Sequence, residues 1–378
     1  MIKISEVDEG SHQGARGLLY LLGDRWLAVL AFMVAGLVAI GAFWTLLPPD
    51  DSPNLGLLSQ KAEHLRAAHD DYNVLLVGTS RVYRGVDPIQ LQRAAEGHGC
   101  DIRAFNFGVS KLRATELREL KERVTPAMLQ GYDLILMSPL SLSGIASANW
   151  GSSRIQHFAD WEGYWTSLHD IWDAAIPGPK GFLKKVQFSL MLSGSYVYRQ
   201  LGIGRLAIML RGGDVRDANS PSGDLFDGDA VVDLSRHGYV ALDHEPSDTF
   251  LVRGRKILEE PGPFEAMKQN GPSADAFQGK VAEKAWRRID RGIEHFSSFG
   301  VPIALILPPM PPSRARDVAL SHVGEAKGVP VLNYNQVDRY PDLFERKHWF
   351  DYYHVNQDGA EILTNLIAQD VCPLIKQS

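Results

Sequence analysis

The chain has 378 residues, of which 45% are hydrophobic, and its formal net charge at pH 7 is -6. These values are typical of a globular protein with one large domain that carries an insertion, or with two smaller domains. The negative charge and the lack of a polybasic tail argue against a nucleic-acid-binding protein.

The first predicted element is an apolar segment, residues 26–47, with the sequence WLAVLAFMVAGLVAIGAFWTLL and no charged side chain. Its length suffices to cross a bilayer as a helix, and Trp26 and Trp44 lie near its ends, where aromatic rings prefer the membrane interface. The alternatives are a cleaved signal peptide and a buried core helix. We predict a transmembrane helix.

The orientation of this helix follows from the cations that flank it. Lys3, Arg16 and Arg25 precede it, whereas the next cations, Lys61 and Arg66, follow only after a stretch rich in Pro and Asp. The positive-inside tendency then predicts a cytoplasmic tail over residues 1–25 and an exported body. The expected location is the cytoplasmic membrane, with a single span and the body in the periplasm or outside the cell.

A linker is predicted over residues 48–71, with an amphipathic helix over 57–69, and the body follows over residues 72–378. Short continuous apolar runs alternate there with helical patterns, which predicts an α/β fold with a five-stranded parallel sheet covered by helices on both faces. If the strand order is 2-1-3-4-5, ligands bind at the carboxyl ends of strands 1 and 3. The predicted strands are 73–77, 102–107, 134–137, 301–307 and 329–333.

Residues 144–277 interrupt the strand–helix alternation between predicted strands 3 and 4. The apolar stretch over residues 182–210 contains Lys and Arg, so a second membrane span is not predicted. We expect an insertion of helices and loops that forms a lid, a substrate platform or a structural addition with its own small core.

Two distant segments carry the residues expected to do chemistry. Ser80 follows the first predicted strand in a Gly-x-Ser turn, and Asp351 precedes His354 by three residues just before the last predicted helix, for which Asn356 is a plausible N-cap. An Asp can orient a His that takes the proton of a Ser hydroxyl. The pattern predicts a Ser-His-Asp catalytic triad.

Neither a metal nor a cofactor is expected. His157 and His169 have no companions with ligand spacing. Cys100 and Cys372 are the only cysteines, and they also lack metal-site spacing. They form either a disulfide, if the body is exported, or two separate buried thiols.

Three short segments of the chain together resemble the SGNH (GDSL-type) hydrolase superfamily, whose domain is a flavodoxin-like three-layer α/β/α sandwich. Gly78-Thr79-Ser80-Arg81 is similar to the nucleophile block, Asn106-Phe107-Gly108-Val109-Ser110 to the second block, and Asp351-Tyr352-Tyr353-His354 to the Asp-x-x-His block. The resemblance covers residues 72–143 and 281–371. It implies that the backbone N–H groups of Ser80 and Gly108 stabilise the oxyanion.

At the third sequence block of the superfamily, this chain differs from the usual pattern. It normally supplies an Asn that donates to the oxyanion, but here strand 3 leads into Ser138-Pro139-Leu140-Ser141. We expect Ser138, Ser141 or Ser143 to donate instead. Arg81 and Tyr83, which follow the nucleophile, are candidates for binding a hydroxylated or anionic substrate.

The resemblance, with the predicted membrane anchor, implies an enzyme that adds or removes O-acetyl groups on a secreted polysaccharide, as in alginate and acetylated-cellulose systems. The implied partners are the polysaccharide and an acyl donor, supplied through a multispanning membrane acyltransferase. The alternatives are a general esterase or lipase-like hydrolase, and a non-catalytic scaffold or polysaccharide-binding subunit of a synthesis complex.

Overall fold

We describe the fold from a computed structural model of the chain. It describes residues 28–36, 38, 39, 42, 55–124, 126–129, 131–140, 157–174, 176, 178–202, 234–244, 248–269, 279–310 and 314–377.

A five-stranded parallel sheet forms the centre of the molecule, and its order is β2-β1-β3-β4-β5. This confirms the five-stranded parallel sheet expected from the sequence, and its order is the one that places a ligand site beside strands 1 and 3. The strands are runs of apolar residues because both faces of the sheet are buried. They are β1 (Val74–Gly78), β2 (Ala104–Gly108), β3 (Leu134–Met137), β4 (Ile303–Leu307) and β5 (Val331–Asn333).

Helices lie on both faces of the sheet. Successive side chains of a strand point to opposite faces, and in β1 Leu75 and Val77 pack into one hydrophobic cluster while Val74 and Leu76 pack into another. The helices are α1 (Leu57–Ala67), α2 (Ser80–Tyr83), α3 (Pro88–Gly97), α4 (Leu117–Arg123), α5 (Trp161–Asp173), α6 (Gly178–Gln200), α7 (Asp248–Glu259), α8 (Pro261–Gln269), α9 (Lys280–Ser297), α10 (Arg314–Lys327) and α11 (Gln357–Gln377).

The two clusters assign the helices to the two faces. Side chains of α1, α4, α9 and α10 contribute to the first cluster, and side chains of α3 and α11 to the second. On the second face, Cys100 and Cys372 form a disulfide, with 5.8 Å between their Cα atoms. Of the two states that the sequence left open for these cysteines, the structure shows the disulfide.

The region between β3 and β4 contains α5 to α8 before α9 returns the chain to the sheet. Helices α5 and α6 pack against each other through a small cluster that includes Ile171, Phe188 and Leu192. Arg291 on α9 joins this pair to the sheet domain, because its guanidinium bonds Asp170 and Asp173 on α5. The insertion is therefore attached to the domain by ion pairs close to the carboxyl ends of the strands.

Residues 28–36, 38, 39 and 42 of the predicted transmembrane segment are helical, and the remainder of 26–47 lies outside the described residues. Within the part of the chain that is described, no helix combines the length and the apolar character needed for crossing a membrane. The cytoplasmic tail predicted over residues 1–25 also lies outside the described residues.

Candidate active site

Ser80, His354 and Asp351 form a continuous chain of hydrogen bonds at the carboxyl end of β1. The Ser80 Oγ lies 2.8 Å from the His354 Nε2. The His354 Nδ1 lies 2.9 and 3.1 Å from the two carboxylate oxygens of Asp351. The structure thus brings together the three residues that the sequence assigned to a triad, although Ser80 and His354 are 274 positions apart.

The loop that carries Asp351 and His354 is held by its own backbone. Phe350 donates its N–H to the carbonyl of His354 at 2.9 Å. Asp351 Oδ1 accepts the N–H groups of Tyr353 and His354 at 2.8 and 2.9 Å. The side chain of Asn356 caps α11 by accepting the N–H of Gly359 at 3.0 Å, which confirms the predicted N-cap. These contacts fix the imidazole relative to the carboxylate.

Asp351 is buried, with 4% of its surface exposed, yet its surroundings favour the ionised form. Burial alone would raise the pKa of this carboxyl group. The imidazole of His354, the guanidinium of Arg253 and the N–H of Tyr353 outweigh burial and hold the pKa of Asp351 well below its usual range. An ionised carboxylate at this position stabilises the imidazolium that forms during proton transfer.

Arg253, which bonds Asp351 Oδ2, was missed by the sequence analysis. It lies on α7 within the insertion, 98 positions before its partner. The insertion therefore contributes directly to the surroundings of the triad. No motif marks Arg253, since only the folded chain brings α7 to the Asp351 loop.

Asn106 on β2 positions the turn that follows Ser80. Its side-chain amide, fully buried, donates to the carbonyls of Val82 and Val86 at 2.8 Å each. These bonds hold the end of α2 against the sheet. Asn106 belongs to the segment that resembles the second block, but no role for its side chain was predicted from the sequence.

Gly108 does not act as the oxyanion donor that was expected. Its N–H donates to the Asn106 Oδ1 at 2.8 Å, and it is absent from the lining of the cavity beside Ser80. A Cβ at this position would collide with the backbone of Tyr83. The residue is glycine because α2 passes directly over β2, so the prediction of an oxyanion role was wrong.

Ser138 directly follows β3, in the segment from which an oxyanion donor was expected. Its side chain is fully buried, lines the cavity beside Ser80, and makes no hydrogen bond within the described part of the chain. A buried hydroxyl without a partner is uncommon in proteins. Ser141 and Ser143, the other two candidates, lie outside the described residues.

Arg81 and Tyr83 differ in position, although both follow Ser80. Arg81 lines the cavity and is partly exposed, as expected for a substrate-binding residue. The ring of Tyr83 is fully buried, with Lys61 4.0 Å and Arg84 4.1 Å from its centroid. The predicted substrate contact of Tyr83 was therefore wrong, because the short α2 turns this side chain into the core.

A cavity of about 540 Å³ opens beside the Ser80–His354 pair. Its wall combines apolar side chains with several cations, and one carboxylate, that of Asp170, is included. A volume of this size accommodates a small ligand or one or two sugar units. The polar and charged side chains in the wall include Ser80, Arg81, Lys111, Ser138, Asp170, Arg288, Arg316 and His354.

The insertion presents aromatic side chains at its surface. Trp161, Trp165 and Trp172 are 61%, 41% and 42% exposed. Trp161 and Trp165 contact each other edge to face. Within the described ranges, no group of three or more His, Cys, Asp or Glu side chains is placed to hold a metal ion.

Comparison of the chain with protein-family models, with curated proteins and with solved structures finds no match. The assignment of a function therefore depends on the geometry of the site and on the motifs in the sequence.

Proposed function

We propose that this protein is a serine acyl-ester enzyme of the SGNH type. The observation that carries the proposal is the hydrogen-bonded chain from the Ser80 Oγ through the ring of His354 to Asp351. Further support comes from the place of Ser80 beyond the carboxyl end of β1, next to β3, where a sheet of this order binds its ligands.

The reaction follows from the roles of the three side chains. The Ser80 Oγ attacks the acyl carbonyl carbon while the His354 Nε2 takes the hydroxyl proton. The ester C–O bond then breaks, and the leaving oxygen receives that proton from the imidazolium. In the second half, water or a sugar hydroxyl attacks the acyl-serine, gives its proton to His354, and regenerates Ser80. Water as acceptor gives hydrolysis, and a sugar hydroxyl gives acyl transfer.

The oxyanion requires donors, which we assign to the N–H of Ser80 and the hydroxyl of Ser138. Ser80 begins α2, and the first N–H groups of a helix have no acceptor within the helix. The unbonded Ser138 hydroxyl at the end of β3 takes the place of the superfamily's Asn. Preorganised donors of this kind supply a large part of the rate in acyl transfer.

The physiological reaction that we propose is transfer or removal of O-acetyl groups on a secreted polysaccharide, in cooperation with an acyl donor from a membrane acyltransferase. The disulfide supports export, because such bonds persist mainly in oxidising compartments. Anchoring through residues 26–47 is supported by the uncharged run and by the exposure of Val29, Phe32 and Met33 in its helical part.

A fluorophosphonate probe tests the chemistry, since it labels only an activated serine. We expect covalent labelling of Ser80, with none in Ser80→Ala and strongly reduced labelling in His354→Ala. Ser298→Ala, which changes an exposed serine immediately after α9 that does not line the cavity, serves as the control and should label normally. A folded protein without labelling at Ser80 would refute the proposal. Acetyl release in water, compared with transfer to an oligosaccharide, then separates hydrolase from transferase.

A further inference from the structure

The cavity beside Ser80 carries an excess of positive charge. Arg81, Lys111, Arg288 and Arg316 line it, and Asp170 is the single carboxylate among its lining residues in the described chain. Asp170 is itself engaged by Arg291, which does not line the cavity. Among the described lining residues, four cations therefore accompany one carboxylate, and that carboxylate is bonded by a fifth cation, Arg291.

One acidic side chain beneath the wall, that of Asp317, is already paired with Arg316. Asp317 is fully buried and accepts hydrogen bonds from the neighbouring Arg316 at 2.7 and 2.8 Å and from Asn335 at 2.8 Å. Arg288 donates to a neutral group, the carbonyl of Leu140, at 2.6 Å. Among the described residues, no hydrogen-bond acceptor is found for the guanidinium of Arg81.

The arginines also disfavour each other's charge. Burial, with the charge of Arg316, lowers the pKa of Arg81 to about 10, although Asp317 partly opposes this. Burial and Arg316 likewise lower the pKa of Arg288 to about 10 against the opposing effect of Asp170. Cations held close together in a partly buried site cost free energy unless an anion joins them. This unfavourable cluster of arginines lies in the cavity beside Ser80.

We propose that this cavity binds a carboxylate group of the substrate close to the ester that Ser80 attacks, with Arg81 as its principal ligand. The planar guanidinium fork matches a carboxylate with two parallel hydrogen bonds. Arg288 and Arg316 supply additional positive charge, and Met137, Leu140 and Ile289 cover the apolar side of the ligand. The proposal rests on the acyl-ester function proposed above.

Such a carboxylate has two possible sources, an acidic sugar that bears the acyl group or the acyl group itself. Two matched pairs of esters separate them. The first pair is an O-acetylated methyl glucoside and the corresponding methyl glucuronoside, which differ in the sugar carboxylate. The second is 4-nitrophenyl acetate and 4-nitrophenyl hemisuccinate, which differ in the acyl carboxylate.

We expect kcat/KM to favour the anionic ester in one of the two pairs by about 10- to 100-fold, the range of a hydrogen bond between charged groups. The pair that shows the preference identifies the source. Arg81→Gln and Arg288→Gln should reduce the preference several-fold, mainly through a higher KM for the anionic ester. Arg81→Lys, which keeps the charge without the fork, should give an intermediate value.

Arg287→Gln is the matched control, because Arg287 lies next to Arg288 on α9 but is 54% exposed, pairs with Asp173 and does not line the cavity. It should keep the wild-type preference. Equal kcat/KM within both pairs for the wild type, or a preference that survives both glutamine variants, would overturn the inference.

Labelling by the neutral fluorophosphonate separates the two proposals. If Ser80 is labelled but neither ester pair shows a preference, the anion site is refuted and the acyl-ester function stands. If Ser80 is not labelled, the acyl-ester function is refuted, and calorimetry of the wild type with methyl glucuronoside and methyl glucoside decides on the anion site. Binding of the acid alone would support it, and binding of neither or of both equally would refute it.

Discussion

At the level of single residues, the triad depends on groups that hold a proton on the His354 Nδ1. The carboxylate of Asp351 accepts two backbone N–H groups on the same oxygen that meets the His354 Nδ1. This arrangement selects the imidazole tautomer whose Nε2 can accept the proton of Ser80. The short loop therefore determines the orientation of the His354 ring and which of its two nitrogens carries the proton.

Ser138→Ala tests the assigned oxyanion donor. Removing one such donor typically lowers kcat by about 10²–10³-fold. Since the Ser138 hydroxyl makes no hydrogen bond to any described residue, its loss should leave the stability nearly unchanged. Steady-state kinetics and urea unfolding of the same variant provide the two measurements. A kcat within about twofold of the wild-type value would exclude Ser138 as a donor.

A second residue-scale prediction concerns His295 on α9. Burial, together with Lys121, lowers the pKa of this imidazole from 6.5 to about 4. As the pH falls below 6.5, the unfolded chain takes up a proton that the folded protein does not, so the free energy of unfolding decreases. The loss should reach about 2 kcal/mol between pH 7.5 and pH 5.

Urea unfolding at these two pH values measures the effect, with His295→Gln as the comparison. Glutamine does not titrate, so the variant should lose about 2 kcal/mol less than the wild type over this interval. The same loss in both proteins would show that His295 is not the group responsible.

At the level of secondary-structure elements, strand ends and an insertion helix meet at the site. The apolar runs predicted β1 to β5 because helices cover both faces of the sheet, although β5 is only partly buried. The local Asp-x-x-His spacing predicted the loop before α11. The role of Gly108 was not predictable, because it depends on how closely α2 approaches β2. The contact of α7 with Asp351 was not predictable either, since no periodicity in the sequence encodes it.

Arg253→Gln tests the contribution of α7. Without the guanidinium, the pKa of Asp351 should rise toward its usual range, because one of the groups that lower it is removed. The fall of kcat/KM at acid pH should then begin at a higher pH, and kcat should decrease by about tenfold, the effect of losing one charged hydrogen bond. A pH–rate profile provides the measurement.

Arg255→Gln, which changes an exposed cation on the same helix, is the matched control for Arg253→Gln. It should retain the wild-type profile. If Arg253→Gln retained that profile as well, α7 would only cover the triad loop and would not act on Asp351.

At the level of the whole molecule, one face of the sheet connects the two halves of the triad. Helix α3 follows the segment that carries Ser80, α11 follows the loop that carries His354, and both pack into the same cluster. The disulfide between Cys100 and Cys372 joins these segments across 272 positions. It therefore links the parts of the chain that must converge for Ser80 to meet His354.

Loss of the disulfide should lower the free energy of unfolding but leave the geometry of the folded site nearly unchanged. For a closed loop of this length, the chain-entropy relation gives an upper bound of about 6 kcal/mol of stabilisation. Reduction by dithiothreitol should therefore lower the urea midpoint for both the loss of Ser80 labelling and the loss of secondary structure, with labelling at zero urea retained. The double variant Cys100→Ala, Cys372→Ala should show the lower midpoint with and without the reductant. If the midpoint of the wild type did not respond to reduction, the cross-link would make no contribution, and the convergence of Ser80 with His354 would depend on the packing of α3 against α11 alone.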